Sequence, residues 1–151
     1  MKIKIYFFGK ANEIIDWEET YIKRIKHRVD LEVMALPQAG LKEVGKTKEK
    51  EAENLLKKIK PQDFVITLDE RGQSLDSVSF SKQLKAGLVQ QGSIVLVIGG
   101  AHGLSPLVLN RANLKLAFGR MVWTRNLVRL MLLEQLYRAL EIDAGTNFHK
   151  G

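Results

Sequence analysis

The sequence predicts an open, mostly parallel α/β sheet with helices on both faces, built by the 151-residue chain as a single domain, residues 1–151. Strand-like and helix-like segments alternate along the whole length. Two strands, Phe64-Val65-Ile66-Thr67-Leu68 and residues 93–98, are nearly continuous apolar runs, the pattern of strands covered on both faces. The last helix is apolar almost all round.

Taken in order, residues 2–8 alternate as a first strand. Residues 16–28 read as a helix, with Asp16 as N-cap and Trp17, Tyr21 and Ile25 at helical spacing. Residues 31–36 form a second strand that Pro37 ends. Residues 38–50 are polar and basic, with Gly40 and Gly45, and read as a mobile loop. Residues 48–60 form a charged helix with Ala52, Leu55, Leu56 and Ile59 on its apolar side, closed by Pro61. After the strand at 64–68 come a loop at 69–74, a helix at 77–91 and the strand at 93–98. A glycine turn, Gly99-Gly100-Ala101-His102-Gly103, leads to Ser105-Pro106, an N-cap and first-turn pair that opens a short helix to Arg111. Residues 114–118 are a further strand, and residues 124–142 the last helix. On that helix Leu127, Val128, Leu130, Met131, Leu132, Leu133, Leu136, Tyr137, Leu140 and Ile142 exceed one stripe, so it is covered on two sides. The second cover is either a partner subunit, the favoured reading, or the chain itself.

Composition narrows the function. There is no cysteine, which removes disulfides and thiolate metal sites. His27, His102 and His149 are too dispersed for a local zinc pattern, so no metal is expected. No apolar run approaches a membrane span and the N-terminus is not a signal peptide, so a cytoplasmic protein is expected. A net charge of +7 favours a polyanionic partner.

Two strands end in glycine-bearing loops, Asp69 to Gly72 and Gly99 to Gly103. In open α/β sheets ligands sit at the carboxyl ends of strands, and glycine lets backbone approach them closely. Neither loop matches the dinucleotide fingerprint or the phosphate loop, which disfavours NAD and ATP. The glycines alone leave open a nucleotide-like cofactor or tight turns without ligand.

Four motifs decide between these. They are Leu68-Asp69-Glu70-Arg71-Gly72, Val97-Ile98-Gly99-Gly100-Ala101-His102-Gly103-Leu104, Glu134-Gln135-Leu136-Tyr137-Arg138-Ala139 and the terminal Phe148-His149-Lys150. In this order and spacing, over essentially the full length, the chain resembles the RlmH family of the SPOUT superfamily, methyltransferases of a pseudouridine N3 in large-subunit (23S) ribosomal RNA. The resemblance implies a deep trefoil knot in about residues 64–151, a homodimer, S-adenosylmethionine as cofactor, and a target on the assembled ribosome. It implies a cofactor site at Leu68, Gly99, Phe118, Gly119, Arg120, Met121, Val122 and Trp123, with backbone groups reading the adenine and Leu68, Met121 and Trp123 as apolar walls. It implies His149 as proton acceptor, Arg129 on phosphate or nucleobase, and Arg125, Phe148 and Lys150 as substrate contacts. The chain departs from the family where Thr124-Arg125 replaces a common Pro-His pair and Phe148 replaces a tyrosine. Arginine cannot serve as a base near neutral pH, and phenylalanine keeps stacking but loses the hydroxyl. Two other readings stand beside this one: methylation of another RNA such as tRNA, and a catalytically silent RNA- or ribosome-binding relative.

Overall fold

A computed structural model describes residues 1–40, 42–99 and 102–150; Leu41, Gly151 and the Gly100-Ala101 pair of the glycine turn lie outside the described residues. The elements are β1 (Lys2–Phe8), α1 (Asp16–Lys26), β2 (Asp30–Leu36), α2 (Val44–Leu56), β3 (Phe64–Ser74), α3 (Ser77–Gln91), β4 (Ser93–Ile98), α4 (Pro106–Arg111), β5 (Leu114–Ala117) and α5 (Arg125–Ala144). Single 3-10 turns occupy Ala11–Glu13 and Phe148–Lys150. The strands form one five-stranded sheet in the order β2-β1-β4-β3-β5, and every pairing is parallel. The expected open parallel α/β fold is therefore present.

Side chains alternate across a strand, and here the alternation gives each face of the sheet its own apolar set. Ile3, Ile5 and Phe7 of β1, Ile66 of β3 and Ile94, Leu96 and Ile98 of β4 face α1, α3 and α5. Tyr6, Phe8, Val65, Val95 and Val97 face α2 and α4. The first face carries the larger core and the two longest helices, α3 and α5, and Leu132, Leu133, Leu136 and Ala139 of α5 are buried there. The chain thus covers much of α5 itself, while Leu127 stays exposed and Leu130 and Met131 are partly open.

Several element ends are set by local chemistry. Ser105 accepts from the Leu107 N–H at 3.0 Å with Pro106 in the first turn of α4, as expected. Asp16 is not the N-cap of α1 but its first residue. The start is fixed by Glu18, whose carboxylate accepts from the Ile15 N–H at 3.0 Å. α2 begins at Val44 and ends at Leu56, earlier than the periodicity suggested, so part of the expected mobile loop is helix.

Residues 69–74, expected as a loop, continue β3. Leu68 and Gln73 both pair with Leu116, so the intervening residues bulge out of register. Gly72 permits this because a Cβ there would lie 2.6 Å from the backbone carbonyl of Lys115. The bulge turns Asp69, Glu70 and Arg71 toward the carboxyl edge of the sheet.

One ion pair lies inside the larger core. Arg129 and Glu18 are 0% and 1% exposed and bonded in a two-toothed contact, with Arg129 Nη2 donating to Glu18 Oε2 at 3.1 Å. The same nitrogen donates to the Glu13 carbonyl at 3.1 Å, and the guanidinium carbon lies 4.3 Å from the Phe7 ring centroid. Nη1 has no hydrogen-bond partner among the described residues, and the ring face offsets part of that loss. Replacing one partner of a dry pair leaves the other uncompensated. Glu18→Ala is expected to lower stability in urea unfolding by about 3–5 kcal/mol. A loss below about 1 kcal/mol, the size of an exposed pair, would show that water reaches it.

Candidate active site

Because all five strands run the same way, their carboxyl ends share one edge. A cavity of about 450 Å³ opens there. Its walls come from Leu68, Asp69, Glu70 and Arg71 of β3, Ile98 and Gly99 after β4, His102, Gly103 and Leu104 of the glycine turn, and Leu116 and Ala117 of β5. The segment 118–123 contributes Phe118, Gly119, Met121, Val122 and Trp123. Lys48 of α2, Leu109 of α4 and Arg125 and Val128 of α5 complete it. Of the residues expected to hold a cofactor, all but Arg120 line this one cavity; Arg120 is exposed outside it.

Local geometry explains the shape. A Cβ on Gly99 would stand 2.9 Å from the Gly103 carbonyl carbon and 3.0 Å from Leu104 Cγ, so the strand end and the turn close on each other only with glycine there. Gly119, at φ 87°, reverses the chain after β5, and the Trp123 indole N–H donates to the Phe118 carbonyl at 3.1 Å, closing the loop. Met121 and Val122 remain 73% and 76% exposed, large apolar side chains held at the mouth of a cavity. The rim carries both signs of charge: Lys48, Arg71 and Arg125 against Asp69 and Glu70.

The substrate candidates are split. Arg125 lines the cavity, and its Nη2 donates to Glu13 Oε1 at 3.2 Å. That hydrogen bond, opposed by burial, holds the Glu13 carboxyl below the ordinary glutamate range. Arg129, expected to reach phosphate or base, is instead enclosed by Glu18, Phe7 and the Glu13 carbonyl, so its contacts are structural. Phe148, His149 and Lys150 lie at the far end of α5. Phe148 sits edge-on to Tyr137 at 4.6 Å, and Arg138 Nη1 donates to the His149 carbonyl at 3.2 Å. From Arg125 to Arg138 the helix advances about 20 Å, so within one chain the tail is remote from the cavity.

Sequence reasoning missed Glu13, Lys48 and His102 as residues of this region. A signal existed for the first: Gly9 directly follows β1, as Gly99 follows β4. Among the described residues no group of three or more His, Cys, Asp or Glu could hold a metal ion, and no helix is long and apolar enough to cross a membrane.

Known proteins share this parallel α/β architecture. Residues 1–149 match the family described as "Predicted SPOUT methyltransferase". The chain belongs to that SPOUT methyltransferase family. It is 39% identical over 153 residues to the ribosomal RNA large subunit methyltransferase H of Desulfotalea psychrophila, spanning 99% of this chain and 100% of that protein. Among solved structures, a probable methylase family protein from Haemophilus influenzae Rd KW20 superposes with TM-score 0.57 at 11% identity, over 99% of this chain and 70% of that one. The SpoU methyltransferase AviRb from Streptomyces viridochromogenes, in complex with the cofactor AdoMet, gives TM-score 0.50 at 10% identity, over 97% of this chain and 61% of that one. At these identities the likeness to the two structures is one of fold.

The tail is fastened through Glu141. Thr146 Oγ1 donates to its carboxylate at 2.6 Å and Arg28 Nη2 pairs with it at 2.9 Å; these, the threonine first, hold its carboxyl below the ordinary glutamate range against burial. A carboxyl lowered in the folded state stabilises above its unfolded value and loses that contribution as pH falls through the lower folded one. Residues 146–150 are therefore expected to undock only in acid, below the usual glutamate range, as read from amide chemical shifts. Glu141→Gln should produce the same shifts at neutral pH. Identical tail spectra in both cases would remove this fastening.

Proposed function

We propose that the chain is an S-adenosylmethionine-dependent methyltransferase of large-subunit (23S) ribosomal RNA, acting on N3 of a pseudouridine in assembled ribosomes of the cytoplasm, as one domain over residues 1–151. The observation that carries the reading is the cavity at the carboxyl ends of β3, β4 and β5, where Leu68, Gly99, Phe118, Gly119, Met121, Val122 and Trp123 converge. Full-length 39% identity to a ribosomal RNA methyltransferase supports the substrate class, and the basic charge suits it.

The residues present fit the cofactor. About 450 Å³ falls within the roughly 300–1,000 Å³ of small-molecule sites. The glycine at position 99 lets the turn at Gly103 and Leu104 pack against the end of β4, and a Cβ there would displace this wall of the cavity. Backbone groups of Leu68, Gly99 and residues 118–123 would hold the adenosyl part, against the side chains of Leu68, Met121 and Trp123. When bound, the cofactor supplies a methyl group on a sulfonium. The protein's part is to fix the two reactants in line, exclude water and take the ring proton. Arg125 is the substrate contact on this cavity.

A homodimer belongs to the same reading. The remaining substrate candidates, Phe148, His149 and Lys150, lie at the other end of α5, so they meet a cavity only when a second protomer brings them. The apolar groove of Trp17, Tyr21, Phe80, Leu130 and Met131, with Trp17 72% exposed, offers the surface for that contact. The reading also includes a C-terminal trefoil knot. In its support, the chain leaving β4 must pass β3 to reach β5 before returning to the cavity at 118–123.

The test supplies purified protein and isotopically labelled cofactor to ribosomes carrying unmodified RNA, with mass spectrometry of the product. Methyl transfer to one pseudouridine is expected, with little on free RNA. Equal transfer to bulk tRNA would reject the ribosomal target, and absence of S-adenosylhomocysteine binding would reject the enzyme. Gly99→Val is expected to abolish S-adenosylhomocysteine binding in calorimetry without unfolding the sheet. His149→Ala should lower turnover about 100-fold, the scale of a lost proton acceptor, at unchanged cofactor affinity; unchanged single-turnover rates would remove His149 from the reaction.

A further inference from the structure

We infer that Glu13 is the positioning residue for Arg125, and that the pair marks where a phosphate of the target nucleotide is held, in the crevice between the carboxyl ends of β1 and β4. The inference rests on the methyltransferase reading and deepens it.

Topology supplies the crevice. From β1 the chain goes to β2 on one side, and from β4 to β5 on the other, so the loops after these neighbouring strands part. Such switch points are where open α/β sheets take ligands. Phe7 pairs with Ile98, so Gly9 and Gly99 stand at adjacent strand ends. The cofactor candidates gather around β3, β4 and β5, and the β1 side remains for the second reactant.

Arg125 is built into that side. Glu13 sits on the 3-10 turn after β1, its Oε1 accepting from the Lys10 N–H at 3.3 Å and from Arg125 Nη2 at 3.2 Å. The other oxygen, Oε2, is buried and makes no hydrogen bond among the described residues. A Cβ on Gly9 would lie 2.9 Å from that oxygen and 3.3 Å from Arg125 Nε, so Gly9 keeps room for the pair. The Glu13 carbonyl meanwhile accepts from Arg129, one helical turn after Arg125. One residue thus grips two successive turns of α5, by its carboxylate and by its backbone. The Gln38 amide abuts Nη1 and Nη2, and Arg125 also lines the cavity, so Glu13 and Gln38 together hold a planar, permanently charged fork beside it, a group suited to a phosphate oxygen.

The experiment measures kcat and KM on ribosomes carrying unmodified RNA, together with S-adenosylhomocysteine affinity and thermal midpoint. Arg125→Ala is expected to raise KM about tenfold, one charge-assisted contact, with kcat held. It should also reduce the salt slope of log(1/KM) by about one. Glu13→Ala should raise KM similarly, and adding it to Arg125→Ala should do nothing more. Glu13→Gln keeps the acceptor and the backbone carbonyl and should restore most of the loss. Gly9→Ala meets only the far ends of two flexible side chains, so it should raise KM without lowering the thermal midpoint. Multiplying losses in the double variant, or an unmoved KM in both Glu13→Ala and Gly9→Ala, would overturn the inference. So would a loss of S-adenosylhomocysteine affinity in place of the KM effect, which would assign the cation to the donor. An inactive wild type removes the methyltransferase reading and this inference with it; an active wild type with an unmoved KM removes only this inference.

Discussion

The buried Arg129–Glu18 pair is the constraint from which the rest of the arrangement follows. It fixes α5 to α1, and through the Glu13 carbonyl and the Phe7 ring it fixes both to the end of β1. A dry ion pair is a poor source of net stability, because desolvation consumes most of its attraction. It is an effective source of register, since any rotation of α5 would leave a charge in the apolar core. With that rotation set, Arg125 falls on the same helical face and meets the cavity.

The sheet supplies the other half. Parallel pairing puts every strand's carboxyl end on one edge, and the out-of-order position of β3 between β4 and β5 brings three loops to one place. The β3 bulge adds charge to the rim and the closed loop 118–123 adds apolar walls. Each device costs something locally: a broken ladder at Gly72, exposed Met121 and Val122. Such costs concentrate where a ligand is to be bound.

Much of this was legible in the sequence. Continuous apolar runs identified the central strands because burial on both faces suppresses alternation, and Ser105-Pro106 marked a helix start because its chemistry is local. The misreadings were of another kind. Asp16 looks like a cap, yet the cap interaction comes from Glu18, whose neighbour across the core is 111 residues away. Residues 69–74 read as a loop because polar composition cannot report pairing with Leu116 across an irregular register. Arg129 reads as a substrate contact through the family resemblance, and only tertiary packing encloses it. The cavity-lining positions Leu68, Gly99, Phe118, Gly119, Met121, Val122 and Trp123 were accessible through family resemblance, whereas for Glu13 Gly9 marks only the strand end, and its contact with Arg125 lies 112 residues away.

The unequal cover of the two sheet faces has a dynamic consequence. α1, α3 and α5 share a broad core with isoleucine, leucine and phenylalanine side chains, whereas α2 and α4 cover a smaller cluster in which Ala52, Leu55 and Val108 meet Tyr6, Phe8, Val65, Val95 and Val97. Less apolar area removed from water means a lower free energy of local opening. Amide protons of α2 and α4 therefore exchange with solvent before those of α3 and α5. Lys48 rides on the looser layer, so that flank of the cavity yields to an entering molecule while the helix carrying Arg125 stays clamped.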